Sequence, residues 1–284
     1  MIAEFMASWS LFHSTYLAGW AIALLLALVG VPVVARDQIF VGAAVAQASM
    51  LGIALGLWVG VAPMLATCDW CQSESVRGGL GGVFAVAAAL ACARGGRTGA
   101  RETPEAVTGW VFLTAGSLAV LVLAHSPHGL EEVHRLLSST IIGASHVDVA
   151  VFAAAATFTA ALVAWRRSTL LLLIMDPDMA AASGVHVRAW TLVTNIWLGV
   201  VVALSVRVSG MIYAFACLVL PALVAKSLCR EVGQMFVIAP LVSVLCAMLA
   251  FVLAHHFDFP PGQLTTALLG AVLAVAWSGR LRRT

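Results

Sequence analysis

Charge is what this sequence has least of. Asp, Glu, Lys and Arg together make up 10% of its 284 residues, where soluble domains carry about 25%, while apolar side chains reach 62%. Such a balance excludes a soluble globular domain and points to an integral membrane protein. The formal net charge of +2 is too small to argue for nucleic acid, so no nucleic-acid partner is expected. Also absent are G-x-x-x-x-G-K-[ST] and any other glycine loop that cradles phosphate, so no nucleotide is expected to bind this chain. Neither HExxH nor GxSxG occurs, which leaves a membrane-embedded enzyme without its usual constellations. Met1–Tyr16 contains Glu4 and no basic n-region, so no cleaved signal peptide is read there.

What is present is a series of long apolar runs. Crossing a hydrocarbon core of about 30 Å takes about 20 helical residues. Leu17–Ala35, Phe40–Ala62, Gly79–Ala93, Ala106–Ala124, Val149–Trp165, Ala189–Val206, Val232–Ala254 and Gln263–Trp277 meet or nearly meet that length. A further piece, Gly210–Ala225, is short and reads as broken at Pro221. The expectation is an all-α, single-domain membrane protein over residues 1–284, with eight to nine transmembrane helices, one of them short, broken or re-entrant.

Basic residues give the orientation. Arg36, then Arg94, Arg97 and Arg101, then Arg166, Arg167 and Arg188, then Lys226 and Arg230, and finally Arg280, Arg282 and Arg283 fall on alternate connections and the C-terminus. The positive-inside rule then predicts an outer N-terminus and a cytoplasmic C-terminus, with every histidine but His186 on the outer side.

One cytoplasmic connection is too long for a plain turn. Within it, "MDPDMAAASGV" has the grammar of a short helix: Asp176 as N-cap, Pro177 at the first position, Asp178 in the first turn, Ala180 inside, and Gly184 as the stop. A simple connector and a docking helix for a cytoplasmic partner both fit this grammar. The absence of a nucleotide loop gives the second reading its motive.

Four stretches then line up in order: "GAAVAQASMLGIALGL", "ETPEAVTGWVF", "LLSSTIIGASHVD", and "MDPDMAAASGV" followed by "SGMIYAFACLVLPALVAKSL". Together they resemble the permease subunits of ATP-driven ABC importers of zinc, manganese and iron, over roughly residues 15–279. The resemblance implies a type II-like transmembrane fold in the bacterial inner membrane. It implies a cytoplasmic ATP-binding subunit, a second permease copy (identical or related) and an external solute-binding protein as partners. It also implies a coupling segment at about residues 168–188, in which Asp176, Pro177, Asp178, Ala180 and Gly184 match the pattern, and a broken segment near the pathway carrying Gly210 and Pro221. The chain itself would be non-catalytic and bind no cofactor; ATP would be used by the partner, and a divalent metal would be the cargo.

This sequence departs from the family pattern where cargo would be held. The second helix usually carries Asp and His four residues apart, and here those positions are Ala43 and Gln47. Gln offers a neutral carbonyl and an amide, and Ala offers nothing. Either the ligands lie elsewhere, or the cargo is a chelate or small polar solute, or a partner permease retains the site. Gln47 as an interhelical bond is the plain structural alternative. Ala43, Gln47, Ser49 and Met50 are therefore the candidate pathway residues.

Histidines supply further candidates, because imidazole and carboxylate are common ligands of transition metals. His146 and Asp148 lie in the family-like "GASHVD", while His255, His256 and Asp258 form "HHFD". "HSPHGLEEVH" adds His125, His128 and His134 near Glu131 and Glu132. Interfacial histidines also simply solvate loop ends. Cys68 and Cys71 form a single C-x-x-C, read as a disulfide or free thiols, and the other four cysteines read as packing residues. A secondary transporter remains the rival class, yet the firm spans hold almost no ionisable residue for ion coupling.

Overall fold

In hydrocarbon there is no water to satisfy backbone polar groups, so these apolar runs are driven to bond internally as helices. The computed structural model describes residues 2–61, 74–95, 103–124, 141 and 143–281, and the described residues contain helices and no strand. The helices are α1 (Ile2–Ala35), α2 (Ile39–Val61), α3 (Glu74–Gly95), α4 (Pro104–Ala124), α5 (His146–Trp165), α6 (Arg167–Met175), α7 (Pro177–Ala182), α8 (Val187–Leu228), α9 (Val232–Phe257) and α10 (Pro261–Leu281). Eight of them are long and apolar enough to cross a membrane.

The 42 residues of α8 would make a straight rod of about 63 Å, twice the hydrocarbon thickness. It is not one rod: Gly210 has φ 76° and ψ 168°, a conformation essentially confined to glycine, and the helix kinks there. This corrects the break expected at Pro221, which sits buried inside the second stretch of α8 without ending it. A proline removes one donor and strains one turn, and that local loss can be absorbed by a packed helix; the Gly210 dihedrals cannot be part of a helix at all.

The chain forms two compact units interleaved in sequence. The first comprises residues 1–37, 138–187 and 208–284, and the second residues 38–137 and 188–207. The boundary within α8 thus falls just before Gly210.

In the first unit α1 is the core. Ile22, Leu25 and Leu26 are fully buried. Against α1, the second stretch of α8 runs parallel: Tyr213 Oη donates to Gly19 O at 2.9 Å and Lys226 Nζ reaches Val34 O at 3.4 Å. Helix α9 runs antiparallel, with Phe251 packed on Gly19 and Ser243 Oγ donating to Ala23 O at 2.9 Å.

In the second unit α2 is the core, packed on α3 and α4. Gly52 lies against Leu80 and Gly81, and Gly56 against Arg77, so α2 and α3 are antiparallel and in backbone contact. The first stretch of α8 packs on α3 where Gly199 meets Val86. Large apolar side chains such as Trp110, Leu113 and Leu121 of α4 stand exposed, as a lipid-facing surface requires.

Candidate functional site

Residues two apart on a helix point to nearly opposite sides, and α2 uses this to split its two polar side chains. Gln47 faces α4: a Cβ placed on Gly116 would lie 3.1 Å from Gln47 Oε1. Ser49 faces α3, where a Cβ on Gly81 would lie 3.4 Å from its Oγ. Gln47 is half-buried, Ser49 is fully buried, and neither Gln47 Oε1 nor Ser49 Oγ has a hydrogen-bond partner. An orphaned buried acceptor costs about 1–3 kcal/mol. Ala43 and Met50 share the Gln47 face by helical spacing and are both buried. The four sequence-predicted pathway residues therefore lie on one helix, but Ser49 does not join the other three on one surface.

The expected short helix is present as α7. Asp176 caps it, its Oδ1 accepting from Asp178 N at 3.1 Å and Met179 N at 2.9 Å, and Pro177 takes the first helical position. Gly184 ends it with φ +82°, and Val185 N donates back to Ala180 O at 3.0 Å. Ala180 is fully buried and holds the helix down, while Asp178 and Met179 are exposed beside exposed Met175.

The segment before it, α6, is fastened to the rest of the first unit. Arg36, at the end of α1, donates from Nη2 to Leu173 O at 2.9 Å, satisfying one of the last carbonyls of α6 that has no partner within its own helix. Burial draws this guanidinium below its ordinary pKa, yet a guanidinium stays charged at any physiological pH. Lys226 pairs with Asp37, whose φ of +57° is unusual for a residue with a side chain. Arg36, Asp37 and Lys226 had no motif to mark them, because they come together from the ends of α1 and α8.

The metal candidates are dispersed. Asp148 is occupied as a helix cap: its Oδ2 accepts from Ser145 N at 3.0 Å and Ser145 Oγ at 2.7 Å, while Ser145 Oγ accepts from Asp148 N. His255 and Asp258 line a cavity of about 380 Å³ with Phe12, Tyr16, Phe251 and Phe259. His256 does not line it and packs on Phe257, with ring centres 4.9 Å apart. Among the described residues no group of three His, Cys, Asp or Glu is placed to hold a metal. His146 instead meets a residue that the sequence reading passed over, His13, with ring centres 5.0 Å apart and planes at 41°. His13 lies in a stretch left outside the first span, and nothing in one sequence links it to His146. Cys68, Cys71, His125, His128, His134, Glu131 and Glu132 lie outside the described residues. Cys92, Cys217, Cys229 and Cys246 are free thiols, the first two buried as packing residues.

Residues 8–279 match the model of the ABC 3 transport family. The manganese transport system membrane protein MntB of Synechocystis is 28% identical over 63% of this chain, and the match spans 58% of that protein's length. The chelated iron transport system membrane protein YfeD of Yersinia pestis is 26% identical over 83% of this chain and 74% of its own. The solved PsaBC complex of Streptococcus pneumoniae shares the fold with a TM-score of 0.78 at 17% identity, covering 98% of this chain and 95% of its own.

Proposed function

Since the chain belongs to the ABC 3 transport family, we propose that it is the membrane permease subunit of an ATP-driven importer of a divalent transition metal, zinc, manganese or iron. Its partners are a cytoplasmic ATPase, a second permease copy and an external solute-binding protein. ATP is hydrolysed by the ATPase and never touches this chain. The N-terminus faces outward and the C-terminus the cytoplasm of a bacterial inner membrane.

The observation that carries this reading is α7. A capped helix with a buried Ala180, an exposed Asp178–Met179 edge and a neighbour fastened through Arg36 is suited to take a push from a partner and pass it on without bending. A floppy connection of the same length would dissipate it. Ala43, Gln47, Ser49 and Met50 on α2 are the residues assigned to the substrate side of the division. A second reading of the cargo, a metal chelate or small polar solute, is favoured by one observation: an orphaned amide oxygen at Gln47, and an alanine at Ala43, where the family pattern has imidazole and carboxylate.

The test is uptake and ATPase activity of the complex reconstituted in liposomes, with zinc, manganese, iron or their chelates supplied through the binding protein. Gly184→Val, which puts a β-branched residue at φ +82°, is expected to cut cargo-stimulated ATPase activity at least fivefold with assembly retained. Gln47→Ala is expected to cut uptake while ATPase assembly stays intact. Equal loss of both activities in both variants, at normal protein levels, would overturn this division. Uptake of chelate alone would decide for the second cargo.

A further inference from the structure

The His13–His146 pair lies at the end of the first unit opposite Arg36, Lys226 and α7, on two different helices. Two imidazoles that share one zinc-class ion through nitrogens at about 2.0–2.1 Å have ring centres about 4.5–5.2 Å apart for coordination angles of about 90–109°. The observed 5.0 Å falls inside that interval, and the 41° tilt is neither a stack nor an edge contact. Both rings are accessible, His13 half-buried and His146 exposed.

We infer that His13 and His146 form a two-imidazole site for one divalent transition-metal ion of the zinc and copper class, between the N-terminal third of α1 and the start of α5. Imidazole suits this class, and the remaining coordination positions are open to water or to donors that arrive with the ion. The backbone on both sides is fixed. Ser145 and Asp148 close a capping box around the first turn of α5, which starts at His146. On α1, Trp9 and Phe12 lean on Tyr16, with ring centres 5.9 and 6.3 Å apart, so His13 projects from an ordered turn. The partial positive charge at the start of α5 opposes a cation there, and the Asp148 carboxylate in the same turn offsets it. Both histidines belong to the first unit, and Gln47 belongs to the second. The site stands or falls independently of what the importer carries.

The test uses the full-length chain in lipid nanodiscs, with any purification tag removed. Zn²⁺ binding is measured by calorimetry, and Cu²⁺ binding by electron paramagnetic resonance. The wild type is expected to hold one more tight ion than His13→Phe or His146→Phe, with affinity at that site falling at least tenfold in each. Phenylalanine keeps the ring packing and removes only the donor. The double variant is expected to lose no more than either single one, because half of such a site is no site. His255→Phe is expected to keep the ion. The variant-independent readout is the wild-type copper spectrum, which should show two equivalent nitrogens on one ion. A spectrum with one nitrogen or none, retention of the ion by either single variant, or its loss in His255→Phe would overturn the site. None of these readouts involves ATP or uptake, so a failed importer reading would leave them interpretable.

Discussion

Ser49 and Ser243 are chemically identical and both fully buried, yet they stand in opposite situations. Ser243 Oγ donates to Ala23 O across the α1–α9 contact, whereas Ser49 Oγ has no partner. Removing a made bond costs about 0.5–1.5 kcal/mol, and removing an orphaned group recovers part of a desolvation penalty of about 1–3 kcal/mol. Ser243→Ala is therefore expected to lower the unfolding midpoint in detergent, and Ser49→Ala to leave it unchanged or raise it. The same logic applies to Gln47→Leu, which keeps most of the side-chain volume: stability should hold or rise while uptake falls. A clear loss of stability would mean that the Gln47 amide is an interhelical bond after all, of the kind worth about 0.6 kcal/mol in membranes. Gln47 was legible in the sequence as an anomaly in an apolar run. Its orphaned oxygen was not, because satisfaction depends on Gly116, which comes from another helix.

At the scale of elements, local rules read the short helix well and the long one badly. Asp176, Pro177 and Gly184 announce α7 because caps and stops act through neighbours in sequence. The sequence points to Pro221 for the break in α8 because proline is the louder local signal, and the structure puts the kink at Gly210. What a kink needs is a dihedral pair, and Gly210 supplies one that side chains forbid, whereas the segment around Pro221 is packed tightly enough to stay helical. Gly210→Ala is expected to cost about 1–3 kcal/mol by backbone strain alone. Pro221→Ala should cost less than that, since it restores a backbone donor while giving up ring packing. Thermal unfolding of the two variants side by side checks the order. If Pro221→Ala proved the more damaging, the break would belong to the proline.

For the whole molecule, orientation links the fold to its proposed task. The first unit separates two chemistries along its length: Arg36, Lys226 and α7 gather at one end, and His13, His146, His255 and Asp258 at the other. That separation follows from packing, since α1 runs antiparallel to α9 and parallel to the second stretch of α8. If basic connections face the cytoplasm, α7 meets the ATPase and the histidine end meets the compartment from which metal arrives. The opposite orientation would present α7 to a compartment without ATP. Single cysteines at Asp178 and Phe259, both exposed, in a chain otherwise free of cysteine, read this directly in intact cells. Phe259→Cys is expected to react with a membrane-impermeant maleimide from outside. Asp178→Cys should react only after the cells are opened. Labelling of Asp178→Cys in sealed cells would invert the topology, and with it remove the mechanical role of α7, because no ATPase could reach it.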